Sequence, residues 1–217
     1  MHLYDNSKMQ WKLESGNGIV VTQKTGYPWQ GAVRMTVAVE QPEEFTLYVR
    51  VPGWSHASQV RVAGATVSGV RPGEYLPVRR RWSGETAVEL AFDMTPRMVV
   101  ANPAVSMDHG RVAMQRGPVV FCMEGLDQAK GTDAATFPLY LAKQEGALRE
   151  SYDADLLGGV MVLTHEGAKR ADPVETLYAP AGAGKAAVET AELKLIPYYA
   201  WDNREDSSMQ VWVPVEG

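Results

Sequence analysis

Gly110-Arg111-Val112-Ala113-Met114-Gln115-Arg116-Gly117-Pro118-Val119-Val120-Phe121-Cys122-Met123-Glu124 reads as two short strands broken at Gly117-Pro118. Valine, phenylalanine and methionine suit an extended, half-buried backbone, while Gly-Pro is a turn dipeptide whose proline carries no N–H donor. Val112 and Met114 fall on one face of the first strand, and Val119 to Met123 re-enter a core after the break. No catalytic or metal-binding pattern interrupts the stretch. It decides for β-structure and supplies no chemistry.

The same period of two extends in both directions. Gly18 to Lys24 reads as a strand, preceded by Ser15-Gly16-Asn17-Gly18, where Asn-Gly is expected to supply the positive φ of a tight hairpin. Val33, Met35, Val37 and Val39 alternate with Arg34, Thr36 and Ala38, and Phe45, Leu47, Val49 and Val51 alternate with Thr46, Tyr48 and Arg50. Further short strands are expected at Val60–Val62, Glu74–Val78, Val88–Phe92, Val160–Thr164, Leu193–Pro197 and Met209–Pro214, with Gly or Pro between many of them. A boundary is expected near Met94-Thr95-Pro96-Arg97 or at Asn102-Pro103. Asp127 to Leu157 breaks the alternation, and Lys143 to Leu157 suits one short helix.

A chain of 217 residues suffices for one large all-β domain or two of about 100 residues each. The fold class expected is all-β: two consecutive antiparallel β-sandwich (jelly-roll-like) domains, 11–97 and 98–217, with at most a short helix near 143–157. Facing sheets bury alternating side chains in a layer about 10 Å thick. The six Trp and nine Tyr supply large rings with polar tips for its edges.

Composition excludes several function classes. A net charge of −5 offers no counterion release to nucleic acid and no attraction to an anionic membrane. Arg79-Arg80-Arg81 is too short for a basic binding run. No stretch approaches the ~18 apolar residues of a membrane helix. Met1–Asn6 has neither the basic start nor the apolar run of a secretory signal, and reads as the middle of something longer. The single cysteine, Cys122, allows no intrachain disulfide and no multi-thiolate metal site. Its apolar neighbours mark a buried strand thiol, and no histidine lies near enough in sequence to activate it. One free cysteine is compatible with a cytoplasmic location without demanding it.

Side chains able to do chemistry are scattered. His2, His56, His109 and His165 lack metal-ligand spacing and suit turns or the surface, with His109 placed to bond backbone within Asp108-His109-Gly110. Glu124 at a strand end and Asp202 in a loop are the carboxylates in unusual settings, but nothing in the linear order brings them together as a glycosidase pair. Pro180-Ala181-Gly182-Ala183-Gly184-Lys185 lacks the spacing and following helix of a phosphate loop and reads as a connection. Loop aromatics remain: Tyr27 and Trp29 around Pro28, Trp54 after Pro52-Gly53, and Tyr199 and Trp201. Their rings are candidates for stacking on a sugar face or for docking against a neighbouring domain; corner plugging of a sandwich end is the commoner use.

Several segments together resemble the C-terminal region of glycoside hydrolase family 127, the β-L-arabinofuranosidase-like family. They are Thr25-Gly26-Tyr27-Pro28-Trp29-Gln30-Gly31, Phe45 to Trp54, Met94-Thr95-Pro96-Arg97 with Asn102-Pro103, Gly110 to Glu124, Ile196 to Arg204, and Met209-Gln210-Val211-Trp212. They occur in the family's order and span nearly the whole chain. The resemblance implies a helical (α/α)6 barrel that carries catalysis, followed by two β-sandwiches. Residues 1–10, with Leu3-Tyr4-Asp5-Asn6-Ser7, are similar to the end of that barrel. Its zinc, held by cysteines and a glutamate, with one cysteine as nucleophile, is expected upstream of this chain, so no cofactor is expected here. Cys122 is similar to a strand cysteine of the second sandwich. No catalytic residue carries over. The chain is therefore expected to be a non-catalytic accessory region that supports the barrel and oligomer assembly, with a homodimer and an arabinose-containing carbohydrate as further candidate partners. The alternative is a carbohydrate-binding module that uses Tyr27, Trp29, Trp54, Tyr199 and Trp201.

Overall fold

The computed structural model describes residues 1–128, 140–142, 148–170 and 188–215. It divides into two compact units, Met1–Thr95 and Pro96–Gly217. The division falls within Met94–Arg97, where Pro96 lacks the N–H that a continuing ladder would need.

The first unit contains β1 (Ser7–Lys12), β2 (Gly18–Thr25), β3 (Ala32–Val39), β4 (Glu43–Arg50), β5 (Gln59–Val62), β6 (Ala65–Thr66), β7 (Tyr75–Trp82) and β8 (Glu85–Ala91). Six of them form an antiparallel sheet in the order β1-β2-β3-β8-β5-β6, and β4 pairs with β7 in a second. Val21, Val33, Met35, Val37, Val88 and Leu90 of the larger sheet share one buried cluster with Val49, Leu76, Val78 and Trp82 of the smaller. Burying each such aliphatic side chain contributes about 1.5–3 kcal/mol, which is why the alternation in β3 and β4 specifies a face. Trp82 is fully buried, stacks on Phe45 with centroids 5.2 Å apart, and donates its indole N–H to the Phe45 carbonyl at 3.0 Å. Its one polar atom is thereby satisfied.

Two local expectations are corrected. Positive φ in the β1–β2 connection falls on Gly16 (87°) and not on Asn17-Gly18. The turn closes through Gly16 N–H to the Leu13 carbonyl at 2.8 Å and Leu13 N–H to the Asn17 carbonyl at 2.9 Å. Asn17 instead uses its amide to donate to the Gln41 carbonyl and Glu43, and to accept from Gln41 N–H. Residue 10 marks no division either. Continuous pairing from Ser7↔Gln23 to Lys12↔Gly18 carries the chain past it, and Tyr4 is buried in the same core.

The second unit contains β9 (Arg97–Val99), β10 (Arg111–Arg116), β11 (Val119–Glu124), β12 (Tyr140–Ala142), β13 (Arg149–Asp153), β14 (Val160–Arg170), β15 (Val188–Pro197), β16 (Met209–Gln210) and β17 (Val213–Pro214). Its main path runs β12-β14-β15-β11-β10-β17, with β13 on β14, β16 on β11 and β9 on β10. A bridge between Ala142 and Val215 brings the two ends of that path together. Val112, Met114, Phe121, Met123, Leu163, Leu193 and Leu195 are buried. Gly117 (φ 54°) makes the two-residue turn that sets Arg116 opposite Val119, as the Gly-Pro break implied.

The expected helix near 143–157 gives way to a strand in its described part. Arg149–Asp153 pairs along β14 from Arg149↔Thr164 to Asp153↔Val160. Glu150 forms an ion pair with Arg116, whose side chain is 9% exposed, and Arg149 pairs with Glu192. These long-range partners override local helix preference. Residues 143–147 and the Pro180–Lys185 loop lie outside the described residues.

Candidate functional site

In the first unit the structure brings together Tyr27 and Trp54. Thr25 Oγ1 accepts Tyr27 N–H at 3.0 Å, and the N–H groups of Trp29 and Gln30 both donate to the Gly26 carbonyl at 3.0 Å, which fixes the turn. Ser55 N–H donates to the Pro52 carbonyl at 3.2 Å, and buried Ser55 Oγ accepts Asp93 N–H at 2.8 Å, which fixes the other corner. The Tyr27 and Trp54 rings stack at 6.4 Å with 25° between planes, each edge-on to Phe92. They line a cavity of about 410 Å³ with Asp5, Arg50, Pro28 and Pro52. Trp29 is half-buried and does not line it. Burial pushes the Tyr27 and Tyr4 hydroxyls above the usual phenol range, with the Arg50 charge opposing.

In the second unit Tyr199 is 61% exposed, and Trp201 lies parallel to Tyr198, with centroids 6.4 Å apart. Asn203 Nδ2 holds this turn by donating to the Ala200 and Trp201 carbonyls.

Glu124 and Asp202 do not form a pair. Asp202 is an exposed turn residue with φ 62°, whereas the Glu124 side chain is fully buried against Arg204. Arg204 also clamps Asp127, and Lys194 Nζ lies 3.4 Å from Asp127 Oδ1 and 3.9 Å from Asp153 Oδ2. Gln128 closes the group: its amide donates to the Glu124 and Lys194 carbonyls and accepts Lys194 N–H. Asp127, Lys194 and Arg204 were not singled out by sequence reasoning. Residues 77 and 80 positions apart give no linear signal. The Asp127 hydrogen bonds, reinforced by Glu124, hold Arg204 firmly protonated. A glycosidase acid and its partner need space for a sugar between them; here a guanidinium fills that space.

The histidines are dispersed. His2 stacks on Tyr75, and His109 Nε2 meets the Pro103 carbonyl at 2.7 Å. His165 corrects the turn-or-surface expectation: it is fully buried on β14 opposite Leu193. Among the described residues no group of three or more His, Cys, Asp and Glu is placed to hold a metal. Cys122 suits zinc poorly, because a ligand must be a thiolate. Burial, helped by the Glu124 and Asp127 charges and opposed by Arg204, pushes its thiol up to about 12.

The comparisons with known proteins agree along the chain. Residues 1–94 match the family model described as "Beta-L-arabinofuranosidase, GH127 middle domain", and residues 96–214 that described as "Glycoside hydrolase family 127 C-terminal domain". A non-reducing end β-L-arabinofuranosidase of Bifidobacterium longum subsp. longum is 35% identical over 209 residues, which cover 92% of this chain and 31% of that protein. The crystal structure of a GH127 β-L-arabinofuranosidase from Geobacillus stearothermophilus T6 superposes with a TM-score of 0.88 at 34% identity, covering 99% of this chain and 33% of that one. A second GH127 β-arabinofuranosidase structure gives a TM-score of 0.82 at 34% identity, covering 99% and 34%. The chain thus spans about a third of the length of the relatives it matches. It belongs to glycoside hydrolase family 127, as the middle and C-terminal domain region of a β-L-arabinofuranosidase-like enzyme.

Proposed function

We propose that this chain is a non-catalytic accessory region that supports the catalytic (α/α)6 barrel of a β-L-arabinofuranosidase-like enzyme and contributes to its assembly. The observation that carries the reading is on β1. Met9 and Trp11 pair with Val21 and Ile19, so their side chains lie on the core face of the six-stranded sheet. Val21 and Ile19 are buried, yet Met9 is 44% and Trp11 68% exposed. The apolar face therefore runs beyond the core it belongs to and ends in solvent at an edge strand. A large exposed ring continuous with a core is the composition of an interface, since aromatic and methionine side chains are enriched at interface centres. The remainder of the enzyme is the occupant this reading assigns to it. The zinc chemistry of the family is assigned to that remainder, not to the clamped carboxylates or the buried thiol found here.

The test is an assay of the purified chain with an aryl β-L-arabinofuranoside, with and without added zinc. No release of the aryl group above the buffer rate is expected. Zinc-dependent turnover by this chain alone would overturn the reading.

A further inference from the structure

We propose that the cavity lined by Tyr27, Trp54, Arg50 and Asp5 in the first unit binds a neutral saccharide ring. This does not rest on the accessory role above, since β1 and its exposed Trp11 take no part in it. Three observations carry it.

The cavity has the size and walls of a small-molecule site. Its volume of about 410 Å³ lies within the roughly 300–1,000 Å³ typical of such sites. Tyr27 and Trp54 line it as a stacked pair held by two hydrogen-bonded turns. Electron-rich ring faces attract the weakly polarised C–H groups that a sugar presents on one face. Little rotamer freedom is lost on binding, because Phe92 already packs edge-on against both rings.

The second observation is a set of unused polar groups. Among the described residues, the Tyr27 hydroxyl, the Trp54 indole N–H and the Arg50 guanidinium make no hydrogen bond. Arg50 is nonetheless placed: Tyr4 donates its hydroxyl to the Arg50 carbonyl, and the Arg50 charge acts on both Tyr4 and Tyr27. Asp5 uses Oδ1 to accept Asn6 N–H at 2.7 Å and no other side-chain bond. Tyr27, Trp54 and Arg50 thus offer donors and Asp5 an acceptor, beside His2 and Tyr4, which also line the cavity and already meet the Tyr75 hydroxyl and the Arg50 carbonyl.

The third is the sign of the charges. An anionic ligand meets the Asp5 carboxylate, a cationic one meets Arg50, and an apolar one leaves both unpaired. Neighbouring hydroxyl groups both donate and accept, so a neutral polyol satisfies Arg50 and Asp5 together while its C–H face covers a ring.

The test titrates the 217-residue chain with methyl arabinofuranoside (a pentose) and methyl galactopyranoside (a hexose), followed by calorimetry and tryptophan fluorescence. Binding of at least one at millimolar concentration is expected, with a change in tryptophan emission. Arg50→Gln and Trp54→Leu are each expected to weaken it by about tenfold or more, the loss of one good hydrogen bond or stacking contact, while Trp11→Ala leaves it unchanged. Arg50 is a half-buried strand-end residue whose backbone bonds survive the change, so Arg50→Gln remains informative even if Trp54→Leu does not fold. No heat with either glycoside, unchanged affinity in Arg50→Gln, or binding only of a glucuronate glycoside would each overturn the proposal.

Discussion

Arg204 and Asp127 form a two-pronged pair, with Nη1 donating to Oδ1 at 3.0 Å and Nη2 to Oδ2 at 2.5 Å, and Nη2 also reaches Glu124. The side chains of Asp127 and Glu124 are 5% and 0% exposed. Removing the guanidinium would strand the buried Glu124 carboxylate and leave Asp127 with Lys194 as its remaining cation. Arg204→Met is therefore expected to destabilise the chain by about 3–5 kcal/mol in urea unfolding. Arg204→Lys should recover only part of this, because an ammonium cannot reproduce the fork. A loss below 1 kcal/mol for Arg204→Met would mean the cluster is solvated and energetically idle.

Cys122 makes a pH prediction. Its thiol is fully buried and is raised from the ordinary 9.0 to about 12 in the folded chain. Above pH 9 the unfolded chain releases this proton while the folded chain keeps it, so the unfolded state binds fewer protons and stability falls as pH rises. The contribution is whole below about pH 9 and is lost progressively between about 9 and 12, the loss being on the order of 1 kcal/mol for each pH unit. Cys122→Ala should flatten the alkaline limb of stability against pH by that amount relative to the parent chain. The folded thiol should also resist an aromatic disulfide reagent at pH 8 and react fully in denaturant.

Gly31 leaves no room for a side chain. A Cβ there would lie 2.3 Å from the Phe92 carbonyl oxygen and 2.9 Å from Met94 Cγ. Phe92 N–H donates to the Gly31 carbonyl at 2.9 Å, so the two backbones cannot simply part. Gly31→Ala should cost about 1–3 kcal/mol by thermal unfolding. It should also disturb the Tyr27–Trp54 cavity, since Phe92 supports both rings.

The sequence made legible those strands whose two faces meet different solvents. In β3, Val33, Met35, Val37 and Val39 are buried while Ala32 and Arg34 face water, and the period of two is plain. β13 is an edge strand whose residues Arg149 to Tyr152 are all exposed, so its pattern carries no face and a helix looked equally apt. β1 is likewise exposed throughout; its apolar positions, Met9 and Trp11, became meaningful only once their partners Val21 and Ile19 were known. The candidate rings were legible as residues but not as a group. Tyr27 and Trp54 converge, Trp29 turns aside, and Tyr199 and Trp201 belong to the second unit. The buried cluster of Glu124, Asp127, Lys194 and Arg204 was illegible because chain topology alone assembles it.

The most direct test of the accessory role is association with the rest of an enzyme of this family. The remaining part of the Bifidobacterium longum relative, produced separately, would be mixed with this chain and followed by sedimentation velocity. A one-to-one complex is predicted. Trp11→Ala should weaken it by about tenfold or more while changing the chain's own stability by no more than about 0.5 kcal/mol, as expected of an exposed residue at an interface centre. No complex at micromolar concentration, or one indifferent to Trp11→Ala, would contradict the account.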